Sequence, residues 1–248
     1  MNHQRVLITG SGSGIGATTA KTIAERGGRV AILDLQGDLA EAIATSLGKD
    51  RAVAFEGDVR DEALIEKIMD AMTDAWGGID ALVNNVGIYA HGPLLELSME
   101  QWKRVFDVNL MAAISVSCAA VRRMNNGGSI VNVSSVLGEV SAPGRGPYCV
   151  SKAALISLTK MQAIEWAERK IRVNAIAPGY ILNQASQDLI DAKSFDPRDI
   201  ERRTPMGRMG TEQEVAEGIC FLLDPVKASY LTGHVLSANG GWTAYGFT

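Results

Sequence analysis

The chain has 248 residues, 46% hydrophobic and 21% charged, with a formal net charge of −4 and a sequence pI of about 5.5. Its Lys and Arg are scattered, which argues against a nucleic-acid surface, and a chain of this length buries enough apolar surface to fold without disulfides or a structural metal. The three cysteines, Cys118, Cys149 and Cys220, read as free thiols in a reducing, cytoplasmic setting.

In chain order, short β-rich runs alternate with longer helical stretches. The runs are residues 5–9, 29–34, 52–56, 81–84, 129–133, 172–176 and 234–237, several of them nearly continuous Val, Ile, Leu and Ala. Such runs suit strands covered on both faces. No basic-then-apolar leader precedes the first. The longest apolar run, residues 110–121, falls short of the roughly 20 residues that span a bilayer and reads as a buried helix, so no membrane partner is expected. Ser98 with Gln101, and Thr211 with Glu214, have the spacing of capping boxes and mark two helix starts. The alternation predicts an α/β fold: a doubly wound, seven-stranded, mostly parallel sheet with helices on both faces, in a single domain spanning 1–248. Only residues 181–204, polar and containing Pro197, break the rhythm; they read as a mobile lid or substrate loop.

The first strand ends in Thr9-Gly10-Ser11-Gly12-Ser13-Gly14-Ile15-Gly16, and a helical pattern follows at once. Glycines let a backbone approach a pyrophosphate closely, and the helix behind points free N–H groups and its positive dipole end at the anion. A dinucleotide site is therefore expected here. Two glycine spacings can be read, Gly10, Gly14 and Gly16 or Gly12, Gly14 and Ala17, so the turn by itself does not select a family. Asp34 ends the second strand, 18 residues after Gly16. A carboxylate at that separation accepts hydrogen bonds from ribose hydroxyls and repels an added phosphate, so the expected cofactor is NAD.

The later motifs resemble, along essentially the whole chain, the short-chain dehydrogenase/reductase family. The first glycine spacing matches its Thr-Gly-X-X-X-Gly-X-Gly turn, and Gly57-Asp58-Val59 its adenine-contacting segment. Asn84-Asn85-Val86-Gly87 stands where the family usually carries Asn-Asn-Ala-Gly; Asn109 matches its active-site helix asparagine. Ser135 precedes Tyr148 by 13 residues, the family's catalytic interval, and Tyr148-Cys149-Val150-Ser151-Lys152 supplies the Tyr-X-X-X-Lys pair. Asn174 through Gly179 resembles the segment that lines the nicotinamide. The resemblance implies a Rossmann-type fold and an NAD-dependent oxidoreductase working on a secondary alcohol–ketone pair. Its catalytic residues would be Asn109, Ser135, Tyr148 and Lys152. Contacts to the cofactor are implied for Gly10, Ser13, Gly14, Ile15, Gly16, Asp34, Asp58, Val59, Asn85, Val86, Gly87, Tyr148, Lys152, Pro178, Gly179 and Ile181. Asn183 in place of a common threonine, and Ser237-Ala238-Asn239-Gly240-Gly241 in place of Val-Asp-Gly-Gly, are departures. The family also implies pairing of the helices around residues 110–121 and 153–166, commonly into a homotetramer.

A phenol that takes a proton near neutrality needs its pKa brought down from about 10, at a cost of about 4 kcal/mol. Lys152, four residues on, shares a helical face with Tyr148. A unit charge at about 4 Å with an effective dielectric near 20 supplies roughly that amount, so Lys152 is expected to lower the tyrosine. Ser135 is expected to stabilise charge on the substrate oxygen, and Asn109, by the resemblance, to hold a proton-relaying water. Tyr89, His91, Leu137, Glu139 and Tyr180 are candidate pocket residues. No metal-ligand spacing is present. The rival readings are a catalytically inactive dinucleotide-binding sensor or scaffold, and a sugar-nucleotide epimerase or dehydratase.

Overall fold

The computed structural model describes residues 3–191 and 196–246. Its strands are β1 Arg5–Thr9, β2 Arg29–Asp34, β3 Ala52–Glu56, β4 Ala81–Asn84, β5 Gly128–Val133, β6 Ile171–Pro178, β7 Ile181–Leu182, β8 Gly210–Thr211 and β9 Val235–Ala238. Seven form one sheet in the order β3-β2-β1-β4-β5-β6-β9, with every pairing parallel; β7 and β8 pair separately. The mostly parallel sheet read from the sequence is therefore wholly parallel. The helices are α1 Gly14–Glu25, α2 Gly37–Leu47, α3 Glu62–Trp76, α4 Met99–Phe106, α5 Ala112–Arg123, α6 Val136–Glu139, α7 Gly146–Glu165, α8 Gln184–Asp191, α9 Pro197–Arg203 and α10 Glu212–Leu223.

Successive strand side chains point to opposite faces, and this divides the core into two layers. Val6, Ile8, Val30, Ile32 and Val131 pack with Ala20 and Ile23 of α1, Ala40 of α2 and Val215 and Ile219 of α10. Leu7, Ala31, Leu82, Ile130 and Val173 pack on the other side with Ile65 and Met69 of α3, Val116 and Ala120 of α5 and Ala163 of α7. Both capping boxes form. Ser98 Oγ accepts from the Gln101 amide at 3.2 Å while Gln101 Oε1 accepts from the Ser98 amide at 2.9 Å, and Thr211 and Glu214 do the same.

Two features depart from the sequence reading. A π-helical turn, Asp107–Met111, joins α4 to α5 without a break. The resulting helix, Met99–Arg123, is long and apolar enough by length and composition to cross a membrane, yet half of its apolar window is buried within the fold. Residues 181–204, read as a loop, hold β7, α8 and α9, with 192–195 outside the described residues. The cause is local capping. Asn183 Oδ1 accepts from the Ser186 amide and Ser186 Oγ accepts from the Asn183 amide, both at 2.9 Å, which starts α8. Asp196 accepts from the Arg198 amide at 2.9 Å with Pro197 in the first turn, which starts α9.

Candidate active site

Strand order reverses about β1 and β4, and in such sheets a crevice opens there beyond the carboxyl ends of the strands. A cavity of about 490 Å³ occupies it, within the usual range for small-molecule sites. Gly10, Ser13, Gly14, Ile15, Asp34, Asn85, Val86, Gly87, Ser135, Tyr148, Lys152, Pro178, Gly179 and Ile181 all line it. Asp58 and Val59 line a second cavity of about 130 Å³ that shares Gly10, Asp34 and Val86 with the first. Gly16 and Asn109 line neither.

The turn after β1 is built to take an anion. Gly14 has φ +60°, and a Cβ placed on it would meet nothing nearer than Glu212 Oε1 at 3.8 Å, so its surface is open. Ser13 precedes α1 with no side-chain cap and no acidic residue fills the first turn, which leaves the leading N–H groups available. Gly16 answers a different need. A Cβ there would lie 2.3 Å from the Gly10 carbonyl oxygen and 2.7 Å from Asn85 Nδ2, so α1 can approach the turn only without one. Asn85 binds the turn from β4, its Nδ2 donating to the carbonyls of Thr9 and Gly10 at 3.0 and 2.7 Å. Asp34 Oδ2 accepts from the Gly12 amide at 2.8 Å and Oδ1 from the Gln36 amide at 3.0 Å, holding the carboxylate at the cavity wall. The residues present thus fit a dinucleotide: a glycine cradle, an uncapped helix start and a fixed carboxylate where a ribose would lie.

The adjacent serines after β5 divide in function. Ser134 Oγ donates to the Lys152 carbonyl at 2.9 Å and ties α7 to the sheet. Ser135 Oγ accepts from the Leu137 amide at 3.1 Å, and its side chain lies near enough to the Tyr148 phenol to favour the ionised form. Lys152 is buried beneath them, its Nζ donating to the Val133 carbonyl at 2.7 Å and lying 5.7 Å from the centre of the Tyr148 ring. Burial brings that ammonium down from 10.5 to about 8.

Several expectations need correction. The lowered phenol expected for Tyr148 is not found in the free protein. Burial pushes the phenol up, opposed by the Ser135 side chain and, more weakly, by the Arg145 charge. Asn109 is buried in the π-helical turn, clear of the cavity. Its Oδ1 accepts from the Ile88 amide at 2.8 Å, while Nδ2 donates to the Ile88 carbonyl at 2.9 Å and Ser151 Oγ at 3.0 Å. Both amide protons are therefore occupied by protein. Ser151 in turn donates to the Tyr148 carbonyl at 2.8 Å, so Asn109 braces the helix start that carries the tyrosine. Tyr89, Leu137 and Tyr180 line the cavity, but His91 and Glu139 do not; Glu139 accepts from Ser237 Oγ at 2.7 Å. The sequence reading passed over Ser151, in α7, and Arg145, the residue that precedes this helix. Arg145 has no motif, and Ser151 stands only at an unspecified position within the Tyr-X-X-X-Lys pair.

A family model described as Enoyl-(Acyl carrier protein) reductase matches residues 10–243. A cis-4-hydroxycyclohexanecarboxylate dehydrogenase of Sinomonas cyclohexanicum is 39% identical, the match covering 96% of each chain. A sorbitol dehydrogenase of Cereibacter sphaeroides is 35% identical over 97% of this chain and 98% of its own. Among solved structures, ElxO with NADP bound superposes with a TM-score of 0.91 at 32% identity, covering 98% of this chain and 100% of that one. A short-chain type dehydrogenase/reductase from Mycobacterium marinum superposes equally well, over 98% and 97%. The chain belongs to the short-chain dehydrogenase/reductase family and is an oxidoreductase.

Proposed function

We propose that this protein transfers hydride between NAD(H) and a secondary alcohol or ketone, with Tyr148 as the acid–base. The observation that carries this reading is that Tyr148 and Ser135 line one cavity with the buried Lys152, in the crevice that begins at the glycine turn.

The glycine turn and the start of α1 would hold the pyrophosphate, and Asp34 the adenosine ribose. Asp58 and Val59, in the adjoining cavity, are assigned to the adenine end, and Pro178, Gly179 and Ile181 to the nicotinamide. The nicotinamide, when bound, supplies the hydride acceptor or donor. Around the reacting carbon, Ser135 donates to the substrate oxygen and stabilises charge there. Tyr148 takes the hydroxyl proton in oxidation and returns it in reduction. Lys152 has further donors beyond the one on Val133, available to a ribose hydroxyl. The base form of Tyr148 must be favoured by positive charge that arrives with the cofactor, because burial holds the free protein's phenol up.

NAD is favoured over NADP because Asp34 lines the cavity, its carboxylate fixed by Gly12, and Leu35 rather than a base follows it. A bound NADP in ElxO belongs to that protein. Exposed apolar residues on the helices the family pairs, Met111, Val150, Met161 and Ile164, support a homotetramer. Buried thiols at Cys149 and Cys220 fit a cytoplasmic, reducing setting. The relatives' named substrates include both a neutral polyol and a hydroxy acid. The test is a panel of secondary alcohols followed by absorbance of reduced nicotinamide, with NAD and with NADP. Reduction of NAD at higher efficiency supports the reading. A product formed with no change in cofactor redox state would favour an epimerase, and no turnover with nucleotide still bound would favour a sensor.

A further inference from the structure

Among the described residues, three charged ones line the cavity of the candidate active site: Asp34, Lys152 and Arg145. Asp34 is held at the glycine turn, and Lys152 is bound to the Val133 carbonyl. Arg145 differs from both. Among the described residues it joins no carboxylate, and it is the arginine that lines this cavity. Its guanidinium lies over the Tyr89 ring, 5.5 Å from the centroid, and its charge reaches the phenols of Tyr148 and Tyr180. Tyr180 is itself packed against Trp242 at 4.9 Å between ring centres.

Position along α7 gives this charge a direction. Arg145 occupies the cap position at the start of α7, three residues before Tyr148, and Lys152 follows one turn after Tyr148 on the same helical face, so Tyr148 stands between the two charges along the chain. Lys152 is on the side of Gly87 and the glycine turn; a Cβ on Gly87 would be 3.1 Å from its Nζ. Arg145 is on the opposite side, with Tyr89 and Tyr180. A substrate whose oxygen sits between Tyr148 and Ser135, with its hydrogen-bearing carbon toward the cofactor, runs outward past Arg145. Among the described residues no acidic side chain lines that end, and Glu139 is turned to Ser237. A guanidinium in a partly enclosed wall, held by a ring and lacking a carboxylate, matches a planar anion.

We propose that Arg145 is a specificity-determining residue and that the substrate is a hydroxy acid whose carboxylate stands apart from the carbinol. This rests on the alcohol–ketone reading above. In oxidation the carbinol C–H bond breaks with its hydride going to the nicotinamide, the O–H proton goes to Tyr148, and a keto acid forms with the carboxylate untouched on Arg145.

The experiment uses open-chain and cyclic hydroxy acids of graded length, each beside its own carboxamide. Kinetics with NAD are measured for the parent, Arg145→Gln and Arg145→Lys. In the parent, at least one acid should exceed its amide about tenfold or more in kcat/KM, mostly through KM. Arg145→Gln should bring that ratio near one, and Arg145→Lys should retain part of it. Calorimetric titration with cycloalkane carboxylates that lack a carbinol gives a second readout: binding to the parent that Arg145→Gln removes and Arg145→Lys partly restores. Equal use of acids and amides by the parent, or an equal loss on both in Arg145→Gln, overturns the assignment and leaves the redox reading standing. If nothing in the panel is oxidised but the carboxylates still bind through Arg145, the anion site stands and the redox reading falls. If neither turnover nor binding occurs, both fall.

Discussion

The ammonium of Lys152 lies 5.7 Å from the centre of the Tyr148 ring, on the same face of α7. In the free protein burial nevertheless dominates and raises the phenol. An ultraviolet difference titration of parent against Tyr148→Phe, without nucleotide, should therefore show this phenol ionising above the ordinary value near 10. Ionisation near neutrality would mean that Lys152 alone activates it.

The same burial makes Lys152 a stability element with a definite sign. Below about pH 8 the ammonium is charged in both folded and unfolded chains. Between about 8 and 10.5 the unfolded chain still binds a proton that the folded chain has released. Stability should rise with pH across that window. Lys152→Met should lack this rise, so chemical denaturation of the two proteins should diverge by at most a few kcal/mol as pH increases. Parallel pH profiles would contradict the assignment.

Asp34 acts on the turn as well as on a ribose, so its removal mixes two effects. Asp34→Asn keeps an oxygen for the Gly12 amide, now 2.8 Å away, and removes only the charge. The preference for NAD over NADP in kcat/KM should fall about tenfold or more, in line with loss of one charge repulsion near ε of about 20. A parent that uses NADP as well as NAD would sink the idea.

Asn183, the departure from the usual threonine, caps α8 reciprocally with Ser186. Asn183→Ala should cost that helix about 1 kcal/mol, read as faster amide hydrogen exchange at residues 184–191 with little change in overall stability. Asn183→Thr should behave nearly as the parent. Unchanged exchange in the alanine variant would remove the cap from the account.

Much of this was legible in the chain because buried parallel strands and glycine turns leave strong local signals. The strand runs were readable to within two residues, and both capping boxes from spacing alone. What escaped depends on contacts distant in sequence. Nothing local marks the π-helical turn that carries Asn109 to Ile88 and Ser151, the Lys152–Val133 bond, or Glu139 turning to Ser237. The helices within 181–204 were hidden for another reason: short, polar, well-capped helices lack the apolar periodicity that announces longer ones.

The central claim is that Tyr148 moves the proton, and the most direct measurement is alcohol oxidation by purified, folded Tyr148→Phe protein at saturating NAD. The ring survives the change and only the hydroxyl beside Ser135 is lost. NAD affinity should stay close to that of the parent while turnover becomes undetectable, and Ser135→Ala should lose less, about 10²–10³-fold. Turnover within about tenfold of the parent, or roughly 1.4 kcal/mol of barrier, would place the proton transfer on another residue.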